Sequence, residues 1–167
     1  KGVGMVHPNM GTMLAFLTTD APVEQQFLQE ALSQAVDSSF NMITVDGDTS
    51  TNDSVILLAN GAVGGDAITS GSPAEKAFQQ ALDEVCIALA KEIARDGEGA
   101  SKLIAVTVEG ALSKSDARAA ARAVAASTLV KSAVHGGDPN WGRIIVALGY
   151  SGAELEENRI ALYINDV

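Results

Sequence analysis

Hydrophobic and polar positions along the chain change period several times, and each change marks an element. The run "TMLAFLTTDA" (12–21) is apolar and β-prone, and Asp20-Ala21-Pro22 closes it. Over "VEQQFLQEALSQAVDSSF" (23–40) the period becomes helical, with Val23, Phe27, Leu28, Ala31, Leu32, Ala35 and Val36 on one face. "NMITVDGDTSTND" (41–53) predicts a short strand and a long polar turn, and "SVILLANGA" (54–62) a buried strand bounded by glycine.

The clearest helix start is "SGSPAEKAF". Ser72 predicts an N-cap, Pro73 the first helical position, and Glu75 the far half of a capping box. Ala77, Phe78, Ala81, Leu82, Val85, Cys86, Leu89, Ala90 and Ile93 follow as an apolar stripe that ends near Gly97. A strand "KLIAVTVEG" (102–110), an alanine-rich helix from about Ser115 to Val134, and strands "GRIIVALGYS" (142–151) and "NRIALYIN" (158–165) complete the prediction. Strands alternating with amphipathic helices give an α/β class, helices layered on sheets. The neighbouring strands near 42–60 and 141–164 keep some antiparallel pairing open. No internal repeat, low-complexity segment or linker interrupts the pattern.

Composition narrows the function. The apolar share is 47 % and the charged share 19 %, a globular balance rather than a disordered one. Aromatics are 4 %, so Ala, Val, Leu and Ile must build the core. A net charge of −10 opposes a nucleic-acid or anionic-membrane partner, because phosphates would be repelled. The single cysteine, Cys86, excludes an intrachain disulfide and any multi-cysteine zinc site, and its helical setting predicts core packing. No apolar run reaches the length of a membrane span.

Four stretches carry candidate chemistry. In "VHPNMGTMLAF" (6–16), Gly11 precedes Thr12 where a loop becomes a strand. One reading is a turn followed by a β-favoured threonine. The other is self-cleavage of the Gly11–Thr12 bond, which frees Thr12 as an N-terminal nucleophile carrying its own base. An α-amine has a pKa of about 7.7–8.0 and can accept the hydroxyl proton near neutrality.

In "ARDGEGASK" (94–102), Gly97 and Gly99 flank Glu98 at a helix exit. It is either a solvated acid or a carboxylate for a substrate amino group. Asp46, Asp48 and Asp53 suggest calcium, but an EF-hand's spacing and closing glutamate are missing, and a turn of hydrogen-bonded Asp, Ser and Thr fits better. In "HGGDPNWGRI" (135–144), His135 has no second ligand at metal spacing, and the stretch predicts a structured turn into a strand, with Arg143 available to a carboxylate.

In this order, "KGVGMVHPNMGTMLAFLTTDA", "TVDGDTSTNDSVILLANG", "RDGEGASK" and "HGGDPNWGRI" resemble the ornithine acetyltransferase family, also called glutamate N-acetyltransferase. The blocks span residues 1 to 144. The resemblance implies a fold of the N-terminal-nucleophile aminopeptidase and ornithine acetyltransferase type, with layered helices and mixed sheets. It implies a precursor that cleaves itself between Gly11 and Thr12 into α and β chains that stay together. Residues 1–11 are then the tail of the α-chain segment, and residues 12–167 are the β-chain core, without its C-terminal part.

The freed Thr12 is expected to take an acetyl group from N-acetylornithine and pass it to glutamate. Lys1 and Glu98 match the family's substrate-contacting lysine and glutamate: an ammonium suits a carboxylate, and a carboxylate suits an amine. No cofactor and no metal are implied, although bifunctional members also use acetyl-coenzyme A as donor. A dimer of αβ units is expected, located in the cytoplasm, or in the mitochondrial matrix for a fungal protein.

Two departures matter. The family usually has alanine where this chain has Gly11. The resemblance also covers only the middle of the family's length. The α chain's Thr-Gly oxyanion pair and the C-terminal substrate contacts are therefore expected outside residues 1–167, leaving residues 1–167 alone weakly active or inactive. Losing one oxyanion donor costs a protease about 10²–10³ in rate. Two other readings remain: an aminopeptidase or amidohydrolase of the same superfamily that passes the acyl group to water, and an inactive scaffold that binds an amino acid.

Overall fold

Strand β1 (Leu14–Thr19) turns Ala15 and Leu17 into the core and Leu14, Phe16 and Thr18 outward, the two-residue alternation of a strand with one covered face. A computed structural model describes residues 4–7, 13–48 and 52–165. It divides into two compact units, Lys1–Glu98 and Gly99–Val167. The boundary falls inside "RDGEGASK".

In the first unit, β1 pairs in parallel with β2 (Ser54–Ala59), in a register running from Leu14 opposite Ser54 to Thr19 opposite Ala59. Parallel neighbours need a crossover, and helix α1 (Gln25–Ser38) lies within that connection. Glu24 caps α1 by accepting the Phe27 amide at 3.0 Å. Helix α2 (Glu75–Arg95) packs against α1. Phe27, Ala31 and Ala35 recur at four-residue spacing on α1, as do Leu82, Cys86 and Ala90 on α2, and all six are buried. The small side chains let the helices approach closely, and Phe27 meets Phe78 at an interplanar tilt of 55° with ring centroids 6.0 Å apart.

Cys86 is fully buried, as the stripe predicts, and burial pushes its thiol pKa up. The nearby Asp83 charge adds to that rise, and a hydrogen bond with Ser39 partly offsets it. The α/β class expected from the alternation of strands and helices is the class observed.

Several local predictions are corrected. Helix α2 starts at Glu75, not at Pro73. The Ser72 hydroxyl accepts the Thr69 amide at 3.3 Å, and the Glu75 carboxylate accepts the Gly71 amide at 2.6 Å. Both side chains therefore satisfy the turn before the helix rather than forming a capping box. The strand expected after Asn41 is replaced by a one-turn 3-10 helix, Phe40–Met42, and a bend.

In the second unit the alanine-rich helix is two helices, α3 (Lys114–Ala126) and α4 (Thr128–Gly136). Ser127 breaks them apart: its extended backbone ends α3, and its hydroxyl accepts the Val130 amide at the start of α4. "GRIIVALGYS" is not a strand but most of helix α5 (Trp141–Gly149), capped by Asn140, whose side chain accepts the Arg143 amide at 3.2 Å. A continuous apolar run has no period to separate strand from helix, so the cap decides. Val124, Val130 and Ala147 form this unit's core, with Val106, Val134, Ile144 and Leu148 packed on it. Residues 103–109 and 160–164 alternate in exposure as strands do, but no strand is assigned to them among the described residues.

Candidate functional site

Side chains and backbone of the stretch 44–53 reach back about forty residues to bond the chain on both sides of Gly11 and Thr12 in the sequence. On the entering side, the Asp46 carboxylate accepts the amides of Met5 and Val6, the latter at 3.0 Å. The Val45 amide donates to the Val6 carbonyl at 2.7 Å, and His7 Nδ1 lies 2.9 Å from Thr44 Oγ1. Met5 adopts a left-handed φ of 56°, costly for a side-chain-bearing residue. Two adjacent amides aimed at one carboxylate help to offset that cost.

On the leaving side, Asp53 Oδ1 accepts the Met13 amide at 2.6 Å, and the Ser54 amide donates to the Met13 carbonyl at 2.9 Å. Asp53 thus adds one side-chain rung below the first backbone pair of the β1–β2 ladder.

The two carboxylates differ electrostatically. At Asp46, burial pushes the pKa up, but amide hydrogen bonds, from Asp48, Met5 and Val6 among others, outweigh it and leave the value below the ordinary one. At Asp53, burial dominates the single bond from Met13 and raises the value. Among the described residues no group of three or more His, Cys, Asp or Glu side chains could hold a metal ion. These aspartates serve as acceptors, as the hydrogen-bonded turn predicts. Their long reach was not predicted, and local spacing carries no signal for it.

Glu98 is exposed, on the turn that follows α2. The Asp96 amide closes the helix on the Glu92 carbonyl at 2.9 Å, and Gly97 is buried against Val45. A Cβ placed on Gly4 would lie 3.3 Å from Glu98 Oε2 and 3.7 Å from Asp46 Oδ2. The structure therefore brings Glu98 and Asp46 together over the backbone that leads toward the junction. Lys1, Gly11 and Thr12 lie outside the described residues.

The remaining candidates are structural. "HGGD" ends α4: Gly137 adopts a left-handed φ of 74°, and the Asp138 amide donates back to the Ala133 carbonyl at 2.9 Å. Lys102 donates to the carbonyls of Val134 and His135 at the same helix end, and His135 Nδ1 lies 3.2 Å from Ser101 Oγ. Arg143 donates to the Leu129 carbonyl at 2.9 Å, so this turn leads into a helix braced on its neighbour rather than into a strand. Among the described residues no helix is long and apolar enough to cross a membrane.

Comparison with known proteins identifies the family. A family model described as the ArgJ family matches residues 1–167. The arginine biosynthesis bifunctional protein ArgJ of Symbiobacterium thermophilum is 62 % identical over 167 residues, 100 % of this chain and 42 % of that protein. The protein of the same name from Dehalococcoides mccartyi is 57 % identical over 166 residues, 99 % of this chain and 41 % of its own length. The chain thus spans well under half of these curated relatives. The crystal structure of the Bacillus halodurans arginine biosynthesis bifunctional protein ArgJ superposes with a TM-score of 0.85 at 51 % identity, over 87 % of this chain and 68 % of that one. The fold is the α/β type of that protein, and the chain belongs to the ArgJ family.

Proposed function

We propose that the full-length protein moves an acetyl group from N-acetylornithine to glutamate through an acyl-enzyme on Thr12, freed by self-cleavage at Gly11–Thr12. In the first half-reaction the Thr12 hydroxyl attacks the acetyl carbonyl, its proton passes to the α-amine and on to the departing ornithine amine, and an acetyl ester remains. In the second, the glutamate amine attacks that ester and the hydroxyl is restored. Two moderate barriers replace one high one. Lys1 would hold a substrate carboxylate and Glu98 a substrate amine. Oxyanion donors would come from the α chain, and a dimer of αβ units is the proposed assembly. The proposed setting is the cytoplasm, or the mitochondrial matrix in a fungus, and acetyl-coenzyme A is a possible second donor in bifunctional members.

The observation that carries this reading is the placement of Glu98. Glu98 stands on an exposed turn close to the Gly4 backbone, and among the described residues no hydrogen bond or ion pair engages its carboxylate, which supports a ligand role. Membership of a family whose relatives are named for arginine biosynthesis supports it. The test is incubation of full-length protein with N-acetylornithine and glutamate. Acetylglutamate is expected from wild type, and none from Thr12→Ala, which should also stay a single chain. Free acetate as the only product would replace transfer with hydrolysis.

A further inference from the structure

Asp46 and Asp53 bond the chain at residues 5–6 and at residue 13, on the two sides of residues 8–12 in the sequence. On the leaving side the Asp53 carboxylate takes the Met13 amide at 2.6 Å, although the β1–β2 ladder begins one residue later, at Leu14 and Ser54. That amide belongs to the residue that directly follows Thr12 in the sequence. The Met13 side chain is buried, which anchors the same residue from its other side. On the entering side Asp46 takes two successive amides, Met5 and Val6. Both carboxylates come from one ten-residue stretch of the sequence, 44–53.

We propose that Asp53 and Asp46 are positioning residues for self-cleavage, a two-point clamp on the flanks of residues 8–12 while the Thr12 hydroxyl attacks the Gly11 carbonyl. The Gly11–Thr12 C–N bond breaks to leave an ester and a free Thr12 amine, and water hydrolyses the ester to restore the hydroxyl and release the Gly11 carboxylate. This rests on the cleavage reading above. The attack is intramolecular, and its rate depends on how often hydroxyl and carbonyl meet in a reactive geometry. Loose flanks spread the segment over many conformations, and a clamp removes them before the reaction. A charged acceptor holds an amide more firmly than a neutral one, which suits a rung outside the regular ladder.

The experiment follows the loss of uncut precursor by intact mass in full-length protein, with folding checked by circular dichroism. Asp53→Ala is expected to cleave roughly tenfold or more slowly than wild type, the size of losing a charge-assisted hydrogen bond. Asp53→Asn keeps a neutral Oδ1 acceptor and should recover part of the rate. Leu82→Ala, in the core between α1 and α2, is expected to lower thermal stability and leave the cleavage rate at the wild-type value. That contrast separates positioning from general stability. Folded Asp53→Ala that cleaves at the wild-type rate overturns the clamp while leaving the cleavage reading intact. Should Asp53→Ala not fold, Asp46→Ala carries the same expectation on the other flank, and wild-type cleavage in it overturns the clamp equally. Wild type that stays uncut overturns the cleavage reading and the clamp together.

Discussion

Gly97 packs its bare α-carbon against Val45: a Cβ at that position would lie 2.8 Å from Val45 Cγ1 and 3.3 Å from the Ala94 carbonyl oxygen. The contact joins the end of α2 to the turn that holds the junction flanks, one residue before Glu98. Gly97→Ala must push Val45 or the α2 terminus aside, an overpacking that costs about 1–3 kcal/mol. Val45→Ala alone leaves space, and the double variant should recover part of the loss. A coupling of about 0.5 kcal/mol or more in a double-mutant cycle by denaturant unfolding is expected. If Glu98 holds a substrate amine as proposed, Gly97→Ala in the full-length protein should raise the KM of that substrate. Additive stabilities and an unchanged KM would show that this contact does not set the Glu98 turn.

Much of the first unit is legible from period alone. Phe27, Ala31 and Ala35 on α1, and Leu82, Cys86, Ala90 and Ile93 on α2, fall on the predicted faces and are buried. The two strands stand where the apolar runs end at turn residues. What failed was decided by contacts that spacing does not encode. Ser72 and Glu75 have the right residue types and interval for a capping box, yet bond to the amides of Thr69 and Gly71. The run Ile144–Leu148 favours a strand by β-propensity, and the Asn140 cap makes it helical. Glu98 was visible as an acid between two glycines. The roles of Asp46 and Asp53 were hidden because their partners lie about forty residues away.

The two aspartates should respond to acid in opposite directions. The folded-state pKa of Asp46 is lowered, so its contribution to stability is present above the ordinary aspartate value, about 3.9, and lost as pH falls through the folded value. That of Asp53 is raised, so its titration contributes below the ordinary value and is lost as pH rises through the folded one. The melting-temperature gap between wild type and Asp46→Ala is therefore expected to narrow between about pH 7 and about pH 3. The gap to Asp53→Ala should widen over the same interval. Parallel changes in both would mean that the global acid response, and not these two carboxylates, sets the trend.

The outward face of the β1–β2 pair gives the last expectation. Phe16 stands opposite Ile56 in register, and Leu58 stands two pairs further on, opposite Thr18. Phe16 is 66 % exposed and Leu58 59 %. Parallel sheets are ordinarily covered on both faces, and a contiguous apolar patch of this kind marks a surface that associates. Residues 1–167 produced alone should therefore self-associate as concentration rises. Phe16→Lys and Leu58→Lys should each suppress this. Neither should unfold the chain, because Ala15 and Leu17 supply β1's contribution to the core from its other face. Sedimentation velocity over a concentration series reads the first effect and thermal melting the second. Equal association by wild type and both lysine variants would assign the self-contact to a different surface.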